Sequence, residues 1–364
     1  MTHHFPGSKF LKVMSSKQKH ILVLTPGFPK DENDFNCIPP LQDFLIKFKS
    51  SHPSVKITVI TFQYPSAIEP YLWNSINVFP KGGMDNKLKK MFIWFSVIRV
   101  AKEINKSEMI DVIHSLWLGE CAMVGNILSK IIHCQHICTL MGQDVKSSNR
   151  YLRGLKNTNT KFVALSKNQS ELFLKLTKKS VTEIIHWGIN DQKIINQERD
   201  IDLLGVGSLI PLKNYSLFIK IVEEIAVKKN DLNCMLVGTG PELSDLIKMT
   251  NAKGLTRNIR FTGLIDRKEI FSLMQRSKVL VHPSKFEGSG FVFAEAFANG
   301  MNIVSFNVGY AHEHPKWWIA KDDQEFIDIT KSLLGRTLNF EPMNTFPLQE
   351  TVNRYAKLYQ VDSN

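Results

Sequence analysis

The feature that most narrows the fold is a strand–helix alternation that runs twice along the chain, each time opening on an apolar strand that ends in a glycine turn. The first run begins with HILVLTPGFP at 20–29, a buried strand entering a Gly/Pro turn. Helical patterning follows at 41–48, a β-branched strand at 55–62, a helix at 91–104, a strand at 111–114, a helix at 119–130 and a strand at 136–140. Another strand reads at 161–165, Ser166 is placed to cap a helix over 169–176, and a last strand reads at 184–186. A polar linker spans 190–200. The pattern then restarts at LLGVG, 203–207, with helices at 216–228, 241–252, 268–275 and 291–298 between strands at 234–238, 259–263, 279–282 and 302–306. A final helix reads at 348–359.

Such alternation means parallel sheets covered by helices on both faces, an α/β protein. The 364 residues exceed one ordinary core. The predicted layout is therefore two doubly wound domains, 1–190 and 191–345, with 346–364 as a helix that packs back on the first. Open sheets of this kind bind ligands outside the carboxyl ends of their strands. Two facing sheets would make a cleft lined by the Gly27 loop on one side and by loops at Gly207, Gly238, Gly263 and Glu287 on the other.

The segment FEGSGFVFAEAFANG, 286–300, carries the chemistry. Gly288 and Gly290 let bare backbone approach a ligand, and the apolar run from Phe291 to Ala298 reads as a buried helix starting there. A helix N-terminus with free N–H groups and a positive dipole end is an anion site. Glu287 in the loop and Glu295 more than one turn into the helix can flank the anion. A phosphate with hydroxyl-bearing groups on both sides, such as a sugar nucleotide, fits that arrangement.

Together with VGSLIPLKN (206–214), LVGTGPE (236–242), RFTGLID (260–266), VLVHPSKFEGSGFVFAEAFANG (279–300) and NVG (307–309), the chain resembles the retaining glycosyltransferases of family 4 over nearly its whole length. That resemblance implies the GT-B architecture, two Rossmann-like domains facing across a cleft. It also implies transfer of a sugar from a nucleotide-diphosphate donor to a hydroxyl of a saccharide or lipid-linked acceptor, with retention and without a metal or other cofactor. Carried over by position, Glu287 would bind hydroxyls of the donor sugar and Glu295 the ribose. The amides of Gly290, Phe291 and Val292 would hold the diphosphate, with Lys213 neutralising it. Leu264 and Ile265 would meet the base, and Gly27 would lie beside the donor phosphates.

Two positions depart from the family pattern. Ser208 stands where an arginine is common, so one diphosphate cation is missing unless another residue such as Lys285 substitutes. In TLMGQDVK (139–146), Met141 stands where the family often has a histidine that meets the donor sugar, and methionine offers no strong donor or charge. Either the chemistry relies on a diphosphate oxygen and Glu287, or the protein is catalytically impaired. Asp144 remains in that motif as a candidate to orient an acceptor or a sugar hydroxyl. His114, ending a strand, is a candidate on the acceptor side, with a hydrogen-bonded interior histidine as the competing reading. His186 and His282 also end strands. A sugar-nucleotide epimerase on the same fold and a non-catalytic sugar-nucleotide-binding subunit are the rival functions.

A formal net charge of +12 favours anionic partners. Nucleic acid is disfavoured because no basic–aromatic motif of that kind occurs. Lys81, Lys87, Lys89 and Lys90 precede the apolar Met91–Phe95, which allows either a peripheral contact with anionic lipid at the cytosolic face or a core helix with a solvated lead-in. The first 20 residues lack the apolar core of a secretion signal, and five cysteines are few and odd in number, so the reading is cytoplasmic. The letters His133, Cys134, His136 and Cys138 lack a second ligand pair at zinc spacing. The Asp-x-Asp at 200–202 precedes a strand and reads as solvated linker, so no metal is proposed.

Overall fold

The computed structural model describes residues 18–195 and 197–361. The reading of the N-terminus as free of a secretion signal falls largely outside the described residues. Strands β1 (His20–Gly27), β2 (Lys56–Tyr64), β3 (Tyr71–Trp73), β4 (Ile76–Pro80), β5 (Val112–Leu116), β6 (Gln135–Thr139), β7 (Lys161–Ala164) and β8 (Glu183–Ile184) form one sheet in the order 3-4-2-1-5-6-7-8. Every neighbouring pair is parallel except β3 with β4. Helices α1 (Pro39–Ser51), α2 (Lys90–Ser107), α3 (Glu120–Ile132), α4 (Arg150–Leu155) and α5 (Lys167–Thr177) lie between the strands in sequence.

The second sheet holds β9 (Ile201–Val206), β10 (Cys234–Val237), β11 (Ile259–Gly263), β12 (Ser277–His282), β13 (Asn302–Phe306) and β14 (Trp317–Ala320). All its pairs are parallel and the order is 11-10-9-12-13-14. Its helices are α6 (Tyr215–Ala226), α7 (Leu243–Ala252), α8 (Arg267–Arg276), α9 (Phe291–Ala298) and α10 (Asp323–Leu334), and α11 (Leu348–Tyr359) closes the chain. Both sheets reverse their winding direction once, between β1 and β5 and between β9 and β12. Crevices for ligands open beside such reversals at the strand carboxyl ends.

Near-continuous apolar strands explain the doubly covered sheets. All six residues of β9 and all five of β5 are buried, and helices cover both faces. Helix α11 belongs to the core of the first sheet. Tyr355 packs 5.0 Å from Phe44, Tyr359 packs 5.5 Å from Phe48, and both tyrosines are buried with Trp187 in one cluster. Such a pair of aromatics contributes about 2 kcal/mol each by buried area.

Five elements carry weak sequence signals. The β3–β4 hairpin turns on Asn74 and Ser75, both at positive φ (43° and 64°), a two-residue turn without the glycine that would mark it. Helix α4 is six residues long. Strand β14 and helix α10 follow the last strand assigned from sequence. Asp322 caps α10 by accepting the Glu325 N–H at 2.8 Å, so the Asp-x-x-Glu spacing is the overlooked cue. Ser166 does cap α5, accepting the Gln169 N–H at 3.2 Å.

Asp202 corrects the solvated reading of the Asp-x-Asp segment. It is buried in β9, with Lys229 at 3.0 Å and Lys278 at 2.7 Å, and Asp200 pairs with Arg276. Among the described residues no three His, Cys, Asp or Glu side chains gather as a metal site. No described helix is long and apolar enough to cross a membrane.

Candidate active site

A cavity of about 950 Å³ lies between the two sheets, at both winding reversals. Trp117 after β5, Met141 and Gly142 after β6, and Phe35 and Asn36 from the loop after β1 form its first-lobe wall. The second lobe contributes Gly207 and Ser208 after β9, Lys213, Leu264 and Ile265 after β11, Arg267 of α8, and the stretch from Phe286 to Val292 with Glu295. A larger depression of about 1530 Å³ lies at the outer edge of the second sheet, around β14. It is more open and lies away from both reversals, so the cleft is the candidate site.

The loop after β12 delivers Glu287. Lys213, at the end of a 3-10 turn over Pro211–Lys213, donates from Nζ to Glu287 Oε1. His282 Nε2 lies 2.7 Å from the same oxygen. Burial pushes the Glu287 carboxyl upward, but the His282 hydrogen bond and the Lys213 charge outweigh it and hold the group at about 2. Burial lowers His282 below its ordinary value, so the neutral ring donates Nε2–H and leaves Nδ1 as an acceptor. That buried Nδ1 has no hydrogen-bond partner among the described residues.

Helix α9 starts at Gly290, whose φ of 71° suits glycine, and aims its first N–H groups at the cavity. Glu295, one turn in, projects into the same cavity and is engaged by Arg267 Nε at 3.1 Å. Arg267 also reaches across the cleft to Asp43 of α1 through Nη1. Its guanidinium sits over the Phe291 and Phe271 rings at 5.4 and 5.2 Å. Burial raises the Glu295 carboxyl above its ordinary range, and the Arg267 charge opposes that rise.

The lobes meet at the cavity floor. A Cβ on Gly288 would lie 2.5 Å from Gly142 Cα, so only glycine fits this crossing. Ser166 Oγ donates to the Gly288 carbonyl at 2.7 Å, and Trp187 N–H donates to Tyr310 Oη at 2.9 Å.

Several sequence candidates sit elsewhere. His114 is interior: its Nε2 lies 2.7 Å from Thr139 Oγ1 and its Nδ1 2.6 Å from Tyr359 Oη. Both nitrogens are committed beneath α11, so the acceptor-side assignment is withdrawn. Asp144 accepts backbone N–H bonds from Leu118 (2.8 Å), Met141 (3.0 Å) and Gly142 (2.9 Å). These bonds hold the 141–144 loop from behind, and Asp144 does not line the cavity. Gly27 is buried against Cys37 and Tyr64 and does not line the cavity; Phe35 and Asn36, further along that loop, do. Lys285 is exposed and lines the outer depression, so it does not replace the missing cation in the cleft. His186 is half-buried, with Nδ1 2.7 Å from the Leu165 carbonyl.

Sequence reasoning missed Arg267 and Asp43 and rated His282 low. Arg267 directly follows the cap Asp266, where charged residues are ordinary, and nothing in spacing reveals that α8 aims it at the cleft. His282, five residues before Glu287, could have been found by its place at the end of the strand from which the Glu287 loop departs.

The architecture is the GT-B fold. Over 94% of this chain, HepE of Anabaena in complex with UDP and glucose superposes with a TM-score of 0.71 at 17% identity, covering 99% of that chain. Sucrose-phosphate synthase of Thermosynechococcus elongatus gives 0.69 at 16% identity, over 94% of this chain and 98% of its own. A model of the glycosyl transferases group 1 family matches residues 189–316, the segment that carries Lys213, Glu287 and Glu295. An uncharacterised glycosyltransferase of Methanocaldococcus jannaschii is 29% identical over 231 residues, 61% of this chain and 63% of that protein. The 2-deoxystreptamine N-acetyl-D-glucosaminyltransferase of Niallia circulans is 29% identical over 107 residues, 29% of this chain and 28% of its own. These matches span less than two thirds of the length of the curated relatives.

Proposed function

We propose that the chain is a cytoplasmic glycosyltransferase of the retaining, family 4 type. It moves a sugar from a nucleoside-diphosphate sugar to a hydroxyl of a saccharide or lipid-linked acceptor. The observation that carries this reading is the convergence of Glu287, Glu295, Lys213 and the α9 N-terminus on one interlobe cavity. A neighbour of this fold holding UDP and glucose supports it.

In this reading the diphosphate lies on the amides of Gly290, Phe291 and Val292, with Lys213 beside it. Fixed positive groups placed where charge develops are usually the largest catalytic contribution. Ionised Glu287 binds donor sugar hydroxyls, Glu295 the ribose, and Leu264 and Ile265 the base. The anomeric carbon–phosphate oxygen bond breaks, and the acceptor oxygen bonds to that carbon on the same face. The acceptor proton passes to an oxygen of the departing diphosphate. Lys213 and the helix end supply the positive charge here, so no metal is assigned.

The test is a panel of nucleotide sugars read by thermal shift, followed by product analysis with the stabilising donor. Expected are release of the nucleoside diphosphate and a new glycoside, with Glu287→Ala lowering turnover by roughly 100- to 1,000-fold. Unchanged turnover in that variant would overturn the site assignment. Conversion of the nucleotide sugar without any acceptor would make the protein an epimerase. Binding without turnover would make it a sensor subunit, the outcome to which Met141 and Ser208 would then be traced.

A further inference from the structure

Helix α2 settles the choice between core helix and surface helix by doing both. Ile93, Val97 and Ala101 are buried against the first sheet. On the opposite face Phe92 is 78% exposed, Met91 66% and Phe95 66%, and Leu88, in the 3-10 turn that leads into the helix, is 88% exposed. Four large apolar side chains exposed within two turns form a patch that soluble surfaces rarely carry without a partner.

The charge beside the patch states what the partner is. Phe92, Phe95 and Arg99 stand at i, i+3 and i+7, and Lys102 and Lys106 continue the same stripe toward the helix C-terminus. Lys89, Arg99, Lys102 and Lys106 are all exposed. Glu103 is the acidic residue exposed on this stripe, with Arg99 3.8 Å away. Next to the N-terminal end lies α4, with exposed Arg150 and Arg153 and no acidic residue. The two helices are joined through Lys90, whose Nζ donates to Tyr151 Oη and, at 2.8 Å, to Glu120. Lys90 is therefore spoken for, Lys81 is half-buried, and the side chain of Lys87 lies outside the described residues. The charge that sequence reading placed on these lysines belongs instead to Lys89, the α2 stripe and α4.

We propose that this face docks the protein on an anionic lipid bilayer, with Met91, Phe92 and Phe95 at the acyl boundary and the basic stripe on the headgroups. A helix lying in the plane of the interface needs this division between apolar insertion and basic attraction. The docked helix is coupled to the cleft. Glu120, which holds Lys90 and Trp94 Nε1 (2.9 Å), directly follows the 117–119 loop, and Trp117 of that loop lines the cavity. Docking would thus present the first-lobe wall of the cleft to the membrane surface, where a lipid-linked acceptor would sit. Only that last placement rests on the transferase reading; the docking does not.

The experiment is vesicle flotation of the full chain with phosphatidylcholine alone and with about one third phosphatidylglycerol added. The wild type and Phe92→Glu/Phe95→Glu are compared, with nucleotide thermal shift on both as the check of fold and donor site. Expected is co-flotation with the anionic vesicles that weakens at high salt. The double variant should bind at least about tenfold less while keeping its nucleotide response. The proposal is overturned if the wild type ignores anionic vesicles, or if the variant floats equally well. It is also overturned if the variant changes only a concentration-dependent self-association, which would make the face an interface between copies. A lost nucleotide response in the wild type would instead count against the transferase reading and leave the docking result standing.

Discussion

Arg267 joins Asp43 of the first lobe to Glu295 of the second, across the wall of the cavity. The guanidinium thus ties the lobes together at the position proposed for the donor ribose. A donor diol that takes Glu295 must share it with Arg267 or displace it. Arg267→Ala leaves Glu295 buried without its cation, and the expected loss is about 2–3 kcal/mol of stability, read by chemical denaturation. Asp43→Asn removes only the tie to the first lobe and leaves Glu295 compensated. Its stability should change by less than about 1 kcal/mol, while small-angle scattering without donor should show a larger radius of gyration. Equal stability losses in the two variants would contradict this division of roles.

Glu287 predicts an acid limb. Its folded value of about 2 lies below the ordinary 4.5. The native state therefore binds this proton less readily than the unfolded chain. The stabilisation is complete above about pH 4.5 and fades as pH falls toward 2. The full effect is on the order of 3 kcal/mol. Denaturation curves of wild type and Glu287→Gln should keep a constant gap from pH 7 to about 5 and converge below. A gap that widened on acidification would contradict the assigned ion pair with Lys213.

His114 predicts a structural effect without a catalytic one. Burial lowers its ring to about 3. A histidine held neutral in the fold stabilises above about pH 6.5 and loses that contribution as pH falls. His114→Phe keeps a ring but leaves Tyr359 Oη without its partner, at a cost of about 1–3 kcal/mol. The acid sensitivity between pH 6.5 and 5 should shrink with it, while kcat stays within about twofold. A drop in kcat of a hundredfold with unchanged stability would restore the acceptor-side role.

The sheets were legible because most of their strands are short apolar runs, a composition that burial on both faces forces, and the strand that opens each sheet ends in a glycine turn. The same logic found the α9 N-terminus and its two glutamates, since Gly288, Gly290 and an eight-residue apolar helix sit together in sequence. It failed for groups whose role depends on how the lobes face each other. Asp43 and Arg267 are 224 residues apart, and each alone is an ordinary polar residue on an amphipathic helix. Asp144 misled for a related reason. A carboxylate in a loop between Gln143 and Val145 looks available, yet three backbone N–H groups occupy it. His114 lies at a strand end, where cleft residues occur, but α11 arrives from the far end of the chain and covers it. On α2, the sequence left core and surface readings open because the helix is apolar on both faces.

Gly288 provides the sharpest test of lobe geometry. Its backbone crosses that of Gly142 so closely that an added Cβ would lie 2.5 Å from Gly142 Cα and 3.0 Å from its nitrogen. Both obstacles are main chain, so no flexible side chain can yield. The carbonyl of Gly288 is also fixed by Ser166 Oγ at 2.7 Å. Gly288→Ala must therefore push the lobes apart rather than repack locally. Each sheet keeps its own core, so far-ultraviolet circular dichroism should be unchanged and overpacking should cost about 1–3 kcal/mol. The cavity groups of the two lobes would separate by an ångström or so, which corresponds to roughly a hundredfold loss in kcat/KM. Nucleoside diphosphate affinity should fall far less, because Lys213, Glu295 and the α9 amides all belong to the second lobe. A variant that lost nucleotide binding as steeply as turnover would show that the first lobe grips the nucleotide itself.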